Sequence, residues 1–198
     1  LYRIDAFTTQ RGDGNPAGVV TDARGLSDAR MQAIAHELGY SETAFVLPPR
    51  ADDHDLHIRY FTPSTEVPVC GHATIGAHYA LALEGAAPGT RRQLTGAGVQ
   101  RDETFGVGAE TVVRMHQNPP TFADPLESGL VAELAAALGL HADELDDRGP
   151  VQSVSTGHGK LLVPIRSLAR LRALRPDMPR LAALDERIGT RGYFTFTL

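Results

Sequence analysis

The stretch EVPVCGHATIGAHYALALEG, residues 66–85, changes from an extended run to a helix at Cys70–Gly71. Apolar residues recur there at the spacing of one helix face, which predicts that the helix is anchored through Ile75, Tyr79 and Leu83. A helix that begins at this turn directs its unpaired backbone N–H groups and the positive end of its dipole outward. The turn is therefore a candidate site for a substrate carboxylate or a developing oxyanion.

The rest of the chain alternates short apolar runs of strand period with helices, which indicates an α+β fold. Strands are expected at residues 1–9, 17–20, 42–49, 55–63, 111–117, 151–156, 159–166 and 193–198. Helices are expected at residues 26–39, 129–140 and 178–189, the first between a Ser27 N-cap and a Gly39 stop. The proline-rich residues 118–127 are predicted to form a linker. We therefore predict a first domain over residues 1–117 and the start of a second over residues 118–198.

Composition narrows the classes of function. The 198 residues are 42% hydrophobic and 22% charged, with a net charge of −5, which is typical of a globular protein with an apolar core. The basic residues are scattered and lack interleaved aromatic side chains, so a nucleic-acid partner is not expected. No apolar run has membrane-spanning length and no signal peptide is visible, so no membrane partner is expected. A single cysteine, Cys70, excludes an internal disulfide and indicates a cytoplasmic protein.

Three side chains near the strand-to-helix turn have two interpretations each. The field of the helix start is expected to lower the pKa of the Cys70 thiol and favour thiolate, unless Cys70 is only a small buried hydrophobic residue. His72 either relays a proton to a substrate atom or caps the helix. Glu42, a lone charge between a helix stop and an apolar strand, is either a partly desolvated general base or a turn residue that satisfies backbone groups.

Other polar stretches are weaker candidates. RGDGNPAG, residues 11–18, offers the Asn15 amide to a ligand, or is simply a turn. DDHDLH, residues 52–57, contains metal-ligand residue types but crowds them into a predicted hairpin loop, so we predict a solvated loop and no metal site. STGHGK, residues 155–160, is either a backbone nest with a histidine or a plain turn.

Taken together, the segments IDAFTT…GNPAGVV, MQAIAHELGYSETAFV, IRYFTPSTEVPVCGHATIGAHYAL and VSTGHGKLLVP resemble the PhzF-like family, which is named for an isomerase of phenazine biosynthesis. The resemblance runs over residues 1–198. It implies a diaminopimelate epimerase-like fold of two similar domains, each a mixed sheet curled around a central helix, with the active site between them. It also implies a small-molecule substrate and no metal, PLP or nicotinamide cofactor, and it is compatible with a homodimer.

The resemblance also assigns roles to residues. Glu42 in SETAF is expected to be the catalytic acid/base, and Gly71 and His72 in GHAT to line the pocket, with His72 catalytic as well. A further set is expected to contact substrate: Asn15, Cys70, Ala73 and Thr74. The implied reaction is a cofactor-independent proton transfer on a small amino- or hydroxy-carboxylate.

Two departures from the family pattern leave alternatives open. Cys70 stands where epimerase relatives place a catalytic thiol, so a Cys70-dependent racemase or epimerase is the second hypothesis. The chain opens in a strand without Met, stops in another strand and lacks the DPVTG-like segment of the family. These features indicate a C-terminally truncated sequence with an incomplete second domain, which we expect to be inactive alone. A non-catalytic ligand-binding or interaction half is the third hypothesis.

Overall fold

The computed structural model describes residues 1–198 and divides the chain into two compact units, Leu1–Asn118 and Pro119–Leu198. Unit 1 contains eight strands: β1 Tyr2–Ala6, β2 Asn15–Val20, β3 Thr43–Leu47, β4 Leu56–Phe61, β5 Glu66–Val67, β6 Gly89–Thr95, β7 Gly98–Phe105 and β8 Val112–Met115. It also contains the helices α1 Asp28–Leu38 and α2 Gly71–Leu83 and a 3₁₀ turn at Gly108–Glu110. That the two units are similar domains of one type remains a prediction.

The sheet of unit 1 curls around α2. Its strands lie in the order β1-β2-β3-β4-β6-β7-β8, and the short β5 pairs with β4 beside β6. The pairs β2–β3 and β4–β6 are parallel and the other pairs are antiparallel, so the sheet is mixed. Helix α2 packs against β1 and β8, which are the two outer strands of this order. One helix can contact both only because the sheet bends around it as a half-barrel.

Helix α1 begins and ends where its sequence signals predict. The Ser27 hydroxyl accepts a hydrogen bond from the Arg30 N–H, and Gly39 ends the helix in the left-handed region with φ of 67°. Met31 and Ala35 are buried in a cluster with two aromatic side chains of the neighbouring strands, Phe45 and Phe61. The amphipathic spacing of this helix therefore matches the face that it buries.

The buried face of α2 differs from the predicted one. Leu83 is exposed, and Ile75 and Tyr79 are only half-buried. The buried residues are mostly small: His72, Ala73, Thr74, Gly76, Ala77, His78, Ala80 and Ala82. A helix enclosed by a curled sheet needs a narrow profile. The small residues therefore face the sheet, and the bulky apolar residues lie on the more exposed side of the helix. The prediction that Ile75, Tyr79 and Leu83 anchor the helix was wrong for this reason.

The hairpin of β6 and β7 was not predicted. Its buried positions are polar: Gln93, Thr95, Gln100, Asp102 and Thr104. Two of them, Gln93 and Asp102, lie against His78 of α2. Strand prediction relies on alternation of apolar and polar residues, and this hairpin carries polar residues on both faces. The glycine-rich turn at Gly96 and Gly98 was visible in the sequence, but the strands on either side of it were not.

Unit 2 pairs a small sheet with helices. Its strands, β9 Thr121–Pro125, β10 Gln152–Ser155, β11 Lys160–Pro164 and β12 Tyr193–Phe196, lie in the order β12-β11-β10-β9. Its helices are α3 Ser128–Ala137, α4 Leu168–Arg172 and α5 Met178–Ile188, with a 3₁₀ turn at Ala142–Glu144. The core is an aliphatic cluster to which α3, β11 and α5 contribute.

In unit 2, one prediction was wrong and one helix was missed. Residues 118–127 are not a structureless linker, because they contain β9, which pairs with β10. Helix α4 was not predicted, although Ser167 caps it by accepting a hydrogen bond from the Arg170 N–H. Across both units, every helix is too short or too polar to cross a bilayer.

Candidate functional site

Backbone pairing between two parallel strands fixes Glu42. It directly precedes β3, whose residue Thr43 lies beside Gly18 of β2. The Gly18 N–H donates to the Glu42 carbonyl oxygen at 3.2 Å, which extends the β2–β3 ladder to the glutamate. A Cβ on Gly18 would lie 2.7 Å from the Thr43 hydroxyl oxygen, so only glycine allows this approach. Glu42 is therefore held by the sheet rather than by a mobile loop.

The start of α2 fixes Cys70. This residue is the N-cap, with extended φ and ψ of −145° and 118°, and its side chain makes no capping hydrogen bond. Its carbonyl oxygen instead accepts two hydrogen bonds from Thr74, from the N–H at 2.9 Å and from the hydroxyl at 2.8 Å. The thiol is thus left free to face neighbouring side chains.

Glu42, Cys70 and His72 form a contiguous group, which we call the triad. The Cys70 sulfur lies 3.3 Å from His72 Nδ1. On the other side of the ring, His72 Nε2 lies 3.5 Å from Glu42 Oε2 and 3.4 Å from the Ser41 hydroxyl oxygen. The imidazole therefore bridges the thiol and the carboxylate. Strand β3 brings in Glu42, and the first turn of α2 brings in the other two.

Burial determines the protonation of two triad members. Burial, together with the negative charge of Glu42, raises the pKa of the Cys70 thiol to about 12, although the Ala73 and His72 N–H groups oppose both effects. The prediction that the helix start lowers this pKa was wrong, because burial and Glu42 outweigh the backbone amides. Burial also lowers the pKa of His72, against the opposing influences of Glu42 and the Pro16 carbonyl. Near neutral pH the site holds a thiol and a neutral imidazole.

A protonated thiol and a neutral imidazole limit the hydrogen bonds that the triad can form. Where the protonated thiol donates its S–H to His72 Nδ1, the ring proton sits on Nε2, which faces the Glu42 carboxylate. The opposite tautomer would direct a nitrogen lone pair at that carboxylate. The arrangement thus combines one hydrogen-bonded acid, Cys70, with one carboxylate, Glu42, that is free to accept a proton.

The other predicted site residues occupy different positions. Gly71 is the first residue of α2, and the Ala73 N–H lies against the Cys70 sulfur. Thr74 is fully buried and bonds within the protein. Asn15 is exposed at the start of β2, one residue before Pro16, whose carbonyl contacts His72. Their contact with substrate remains a prediction.

Two residues that contact His72 were not predicted to belong to the site. Ser41 was not predicted as a site residue, yet its hydroxyl oxygen lies 3.4 Å from His72 Nε2. The carbonyl of Pro16 carries no side-chain signal that a sequence could show. Ser41 had a signal, because it adjoins Glu42 in the SETAF motif.

The triad also contains the residue types that bind metals. A carboxylate oxygen, a sulfur and a ring nitrogen of its members lie within 4.8 Å of one another, a donor set that suits zinc. However, His72 directs different nitrogens at Cys70 and at Glu42, which is the geometry of a hydrogen-bond relay. In residues 52–57, both His54 nitrogens are engaged, Nδ1 with Asp53 and Nε2 as acceptor from the Arg50 N–H. The absence of a metal cofactor remains a prediction.

Comparisons with known proteins agree on one family. A family model described as "Phenazine biosynthesis-like protein" (PhzC-PhzF) matches residues 4–197. The uncharacterized isomerase YddE of Escherichia coli K12 is 43% identical over 199 residues, in an alignment that covers 100% of this chain and 66% of that protein. The chain therefore spans slightly less than two thirds of the length of this relative.

Solved structures show the same fold. A Bacillus anthracis phenazine biosynthesis protein of the PhzF family matches with a TM-score of 0.78 at 34% identity, over 100% of this chain and 66% of that chain. A predicted epimerase from Pseudomonas aeruginosa matches with a TM-score of 0.85 at 27% identity, over 100% of this chain and 68% of that chain. A hydroxyproline epimerase from Agrobacterium vitis, at 13% identity and a TM-score of 0.56 over 88% of this chain and 58% of that chain, shares the fold alone.

The predicted α+β, epimerase-like fold is confirmed by these neighbours. The motif-based resemblance is confirmed independently by the family model, which extends over nearly the whole chain. The chain belongs to the phenazine biosynthesis-like (PhzC-PhzF) family.

Proposed function

We propose that this chain carries the proton-transfer site of a cofactor-independent isomerase or epimerase that acts on a small amino- or hydroxy-carboxylate. The observation that carries the proposal is the Glu42 carboxylate, fixed at the start of β3 and 3.5 Å from a histidine on the first turn of α2. Family membership and the names of relatives, which are isomerases and epimerases, support the reaction class. The proposal includes a small-molecule substrate and is compatible with a homodimer.

Glu42 acts as the general base in this proposal. Its carboxylate removes a proton from an activated C–H group, and the electron pair stays on the substrate as a delocalised anion. Backbone N–H groups at the start of α2 stabilise that anion or the substrate carboxylate. The proton then returns to another carbon, which isomerises the substrate, or to the opposite face of the same carbon, which epimerises it. Substrate and product have the same composition, so no oxidant, reductant or second substrate is needed.

Cys70 supports a second candidate, an epimerase that uses two proton-transfer groups. Its thiol lies 3.3 Å from His72 and keeps its proton near neutral pH, so it is suited to donate a proton. In this version Glu42 removes the proton on one face of the carbon, and Cys70 delivers one to the other face. Solvent then removes the proton from Glu42 and returns one to the Cys70 thiolate, which restores both groups for the next cycle.

The test of Glu42 is exchange of substrate hydrogen in D₂O, followed by proton NMR. The full-length protein is incubated with a panel of small amino and hydroxy acids that includes a dihydrohydroxyanthranilate. For any acid that exchanges, Glu42→Gln is expected to slow exchange on the order of 10²- to 10⁴-fold with nearly unchanged ligand affinity, because the variant removes the base and keeps the shape. Glu37→Gln, on the exposed side of α1, is the matched control. Retained exchange in Glu42→Gln would overturn the role of Glu42.

Cys70→Ser separates the two candidates. If Glu42 alone moves the proton, this variant is expected to keep exchange and turnover within about a factor of ten, the size of one lost hydrogen bond. If Cys70 is the second group, turnover to the epimer falls by orders of magnitude, while Glu42-dependent exchange of the starting isomer continues. The two results are distinguished by measuring exchange and turnover on the same sample.

A further inference from the structure

A buried hydrogen-bond chain leads from the sheet to the triad. The Tyr60 hydroxyl on β4 lies 2.5 Å from the Thr74 hydroxyl on α2, and the Thr74 hydroxyl lies 2.8 Å from the Cys70 carbonyl oxygen. Tyr60 and Thr74 have no exposed surface. Tyr60 was not predicted as a site residue, and Thr74 was expected to contact substrate.

The donors and acceptors of this hydrogen-bond chain can be arranged in only one direction. The Cys70 carbonyl can only accept, so the Thr74 hydroxyl donates its hydrogen bond to that carbonyl. The oxygen of Thr74 must then accept from Tyr60. Burial raises the pKa of Tyr60, so its hydroxyl keeps the donated proton at any ordinary pH. Because both hydroxyl groups donate toward Cys70 and Tyr60 stays protonated, these hydrogen bonds hold the Cys70 carbonyl against α2.

The position of this carbonyl matters because the Cys70 side chain does not cap the helix. Thr74 fixes the backbone of Cys70 by two contacts with its carbonyl oxygen, from the Thr74 N–H and from the Thr74 hydroxyl. The thiol and the ring that it faces, His72, are two residues apart on the same turn. A shift of the Cys70 peptide therefore changes the spacing of the whole triad.

We propose that Thr74 is a positioning residue, supported by Tyr60, which sets the thiol–imidazole–carboxylate spacing of the site by holding the Cys70 carbonyl. This inference rests on the proposed function of the triad. It assigns Thr74 an indirect role in place of substrate contact.

The experiment compares Thr74→Val with Thr74→Ser and Tyr60→Phe in the full-length protein. Valine keeps the shape of threonine and removes the hydroxyl, serine restores the hydroxyl, and phenylalanine removes only the supporting donor. Thr104→Val is the matched control, because this buried threonine also bonds to a backbone carbonyl, that of Gly89, but lies on β7 away from the triad. Unfolding by urea is measured for every variant, so that a loss of stability is recognised separately.

The first readout needs no substrate. Alkylation of Cys70 by iodoacetamide is followed by mass spectrometry of the peptide that contains Cys70, near pH 9.0, the ordinary pKa of a thiol. Releasing the Cys70 peptide exposes the thiol to solvent, so Thr74→Val is expected to raise the alkylation rate about tenfold, which corresponds to a fall of about one unit in its pKa. Thr74→Ser is expected to restore the original rate, Tyr60→Phe to give a smaller increase, and Thr104→Val none.

The second readout is catalytic. Thr74→Val is expected to lower kcat about tenfold and to leave KM within about threefold, because it displaces the reacting groups and removes no substrate contact. A rise in KM at unchanged kcat would instead indicate direct substrate contact and overturn the inference. An alkylation rate in Thr74→Val equal to that in Thr104→Val would also overturn it. Failure of the proposed function appears separately, as exchange retained in Glu42→Gln, and does not alter the alkylation result.

Discussion

At the scale of single residues, burial determines the chemistry of His57 as strongly as that of the triad. His57 is only 6% exposed on β4, and its Nδ1 has no hydrogen-bond partner. Burial, together with the positive charges of Arg50 and Arg59, lowers its pKa to about 4. The ring therefore stays neutral in the folded protein under conditions that protonate it in the unfolded chain.

This difference predicts how stability depends on pH. Between the ordinary value of 6.5 and about 4, the unfolded chain binds a proton at His57 that the folded protein does not. The free energy of unfolding is therefore expected to fall as pH decreases through that window, and the His57 contribution is fully present above 6.5. Urea unfolding followed by circular dichroism checks this. His57→Gln should flatten the profile relative to His36→Gln, which replaces an exposed histidine. Equal slopes in the two variants would contradict the assignment.

The same residues show what a sequence can predict about a site. Glu42, Cys70 and His72 were identified because short motifs carry them, and the structure brings their side chains together. The shift in the pKa of Cys70 was predicted in the wrong direction, because the prediction rested on the local field at the start of α2 alone. The opposing effects, burial and the charge of Glu42, come from a strand that is distant in sequence. Local chemistry was predictable, and electrostatics that depends on tertiary packing was not.

At the scale of elements, caps and apolar periodicity predicted most helices, and a polar buried surface concealed one hairpin. Helix α1 was predicted with both of its ends, because Ser27 and Gly39 act within the helix itself. The hairpin of β6 and β7 was missed because its inward face carries residues such as Gln93 and Asp102. Gln93 and Asp102 lie against His78 of α2, and a contact with a helix this distant in sequence cannot be recognised in a short window of the sequence.

The turn of this hairpin predicts the effect of one substitution. A Cβ added to Gly96 would lie 2.7 Å from the Pro68 Cα, a backbone atom two residues before Cys70. Gly96→Ala is therefore expected to displace the hairpin or the segment before α2 and to lower the free energy of unfolding by about 1–3 kcal/mol. Gly129→Ala is the control, since the space around this residue of α3 is open. It is expected to stabilise by about 0.5–1 kcal/mol through helix propensity. Chemical denaturation measures both, and equal effects would refute the steric argument.

At the scale of the whole molecule, each buried apolar cluster lies within one compact unit. The two clusters of unit 1 lie under the curled sheet and beside α1, and the third consists entirely of residues from unit 2. The two units meet at the prolines near residue 119, which interrupt the periodic pattern of the sequence. The pairing of β9 in the next residues was not predictable, because β9 is exposed along its length and carries no apolar alternation.

Because each core lies within one unit, a cavity made in one core is expected to destabilise that unit. Leu134 on α3 is fully buried in the cluster of unit 2, so Leu134→Ala is expected to cost about 2–5 kcal/mol in that unit. Hydrogen exchange read by mass spectrometry should show protection in residues 119–198 reduced by about 30-fold or more, since every 1.4 kcal/mol is about a factor of ten. Leu168→Ala, at a half-exposed leucine of α4, should leave protection nearly unchanged. If residues 1–118 lose as much protection as residues 119–198, the chain unfolds as one cooperative body, and the separation of its cores has no energetic meaning.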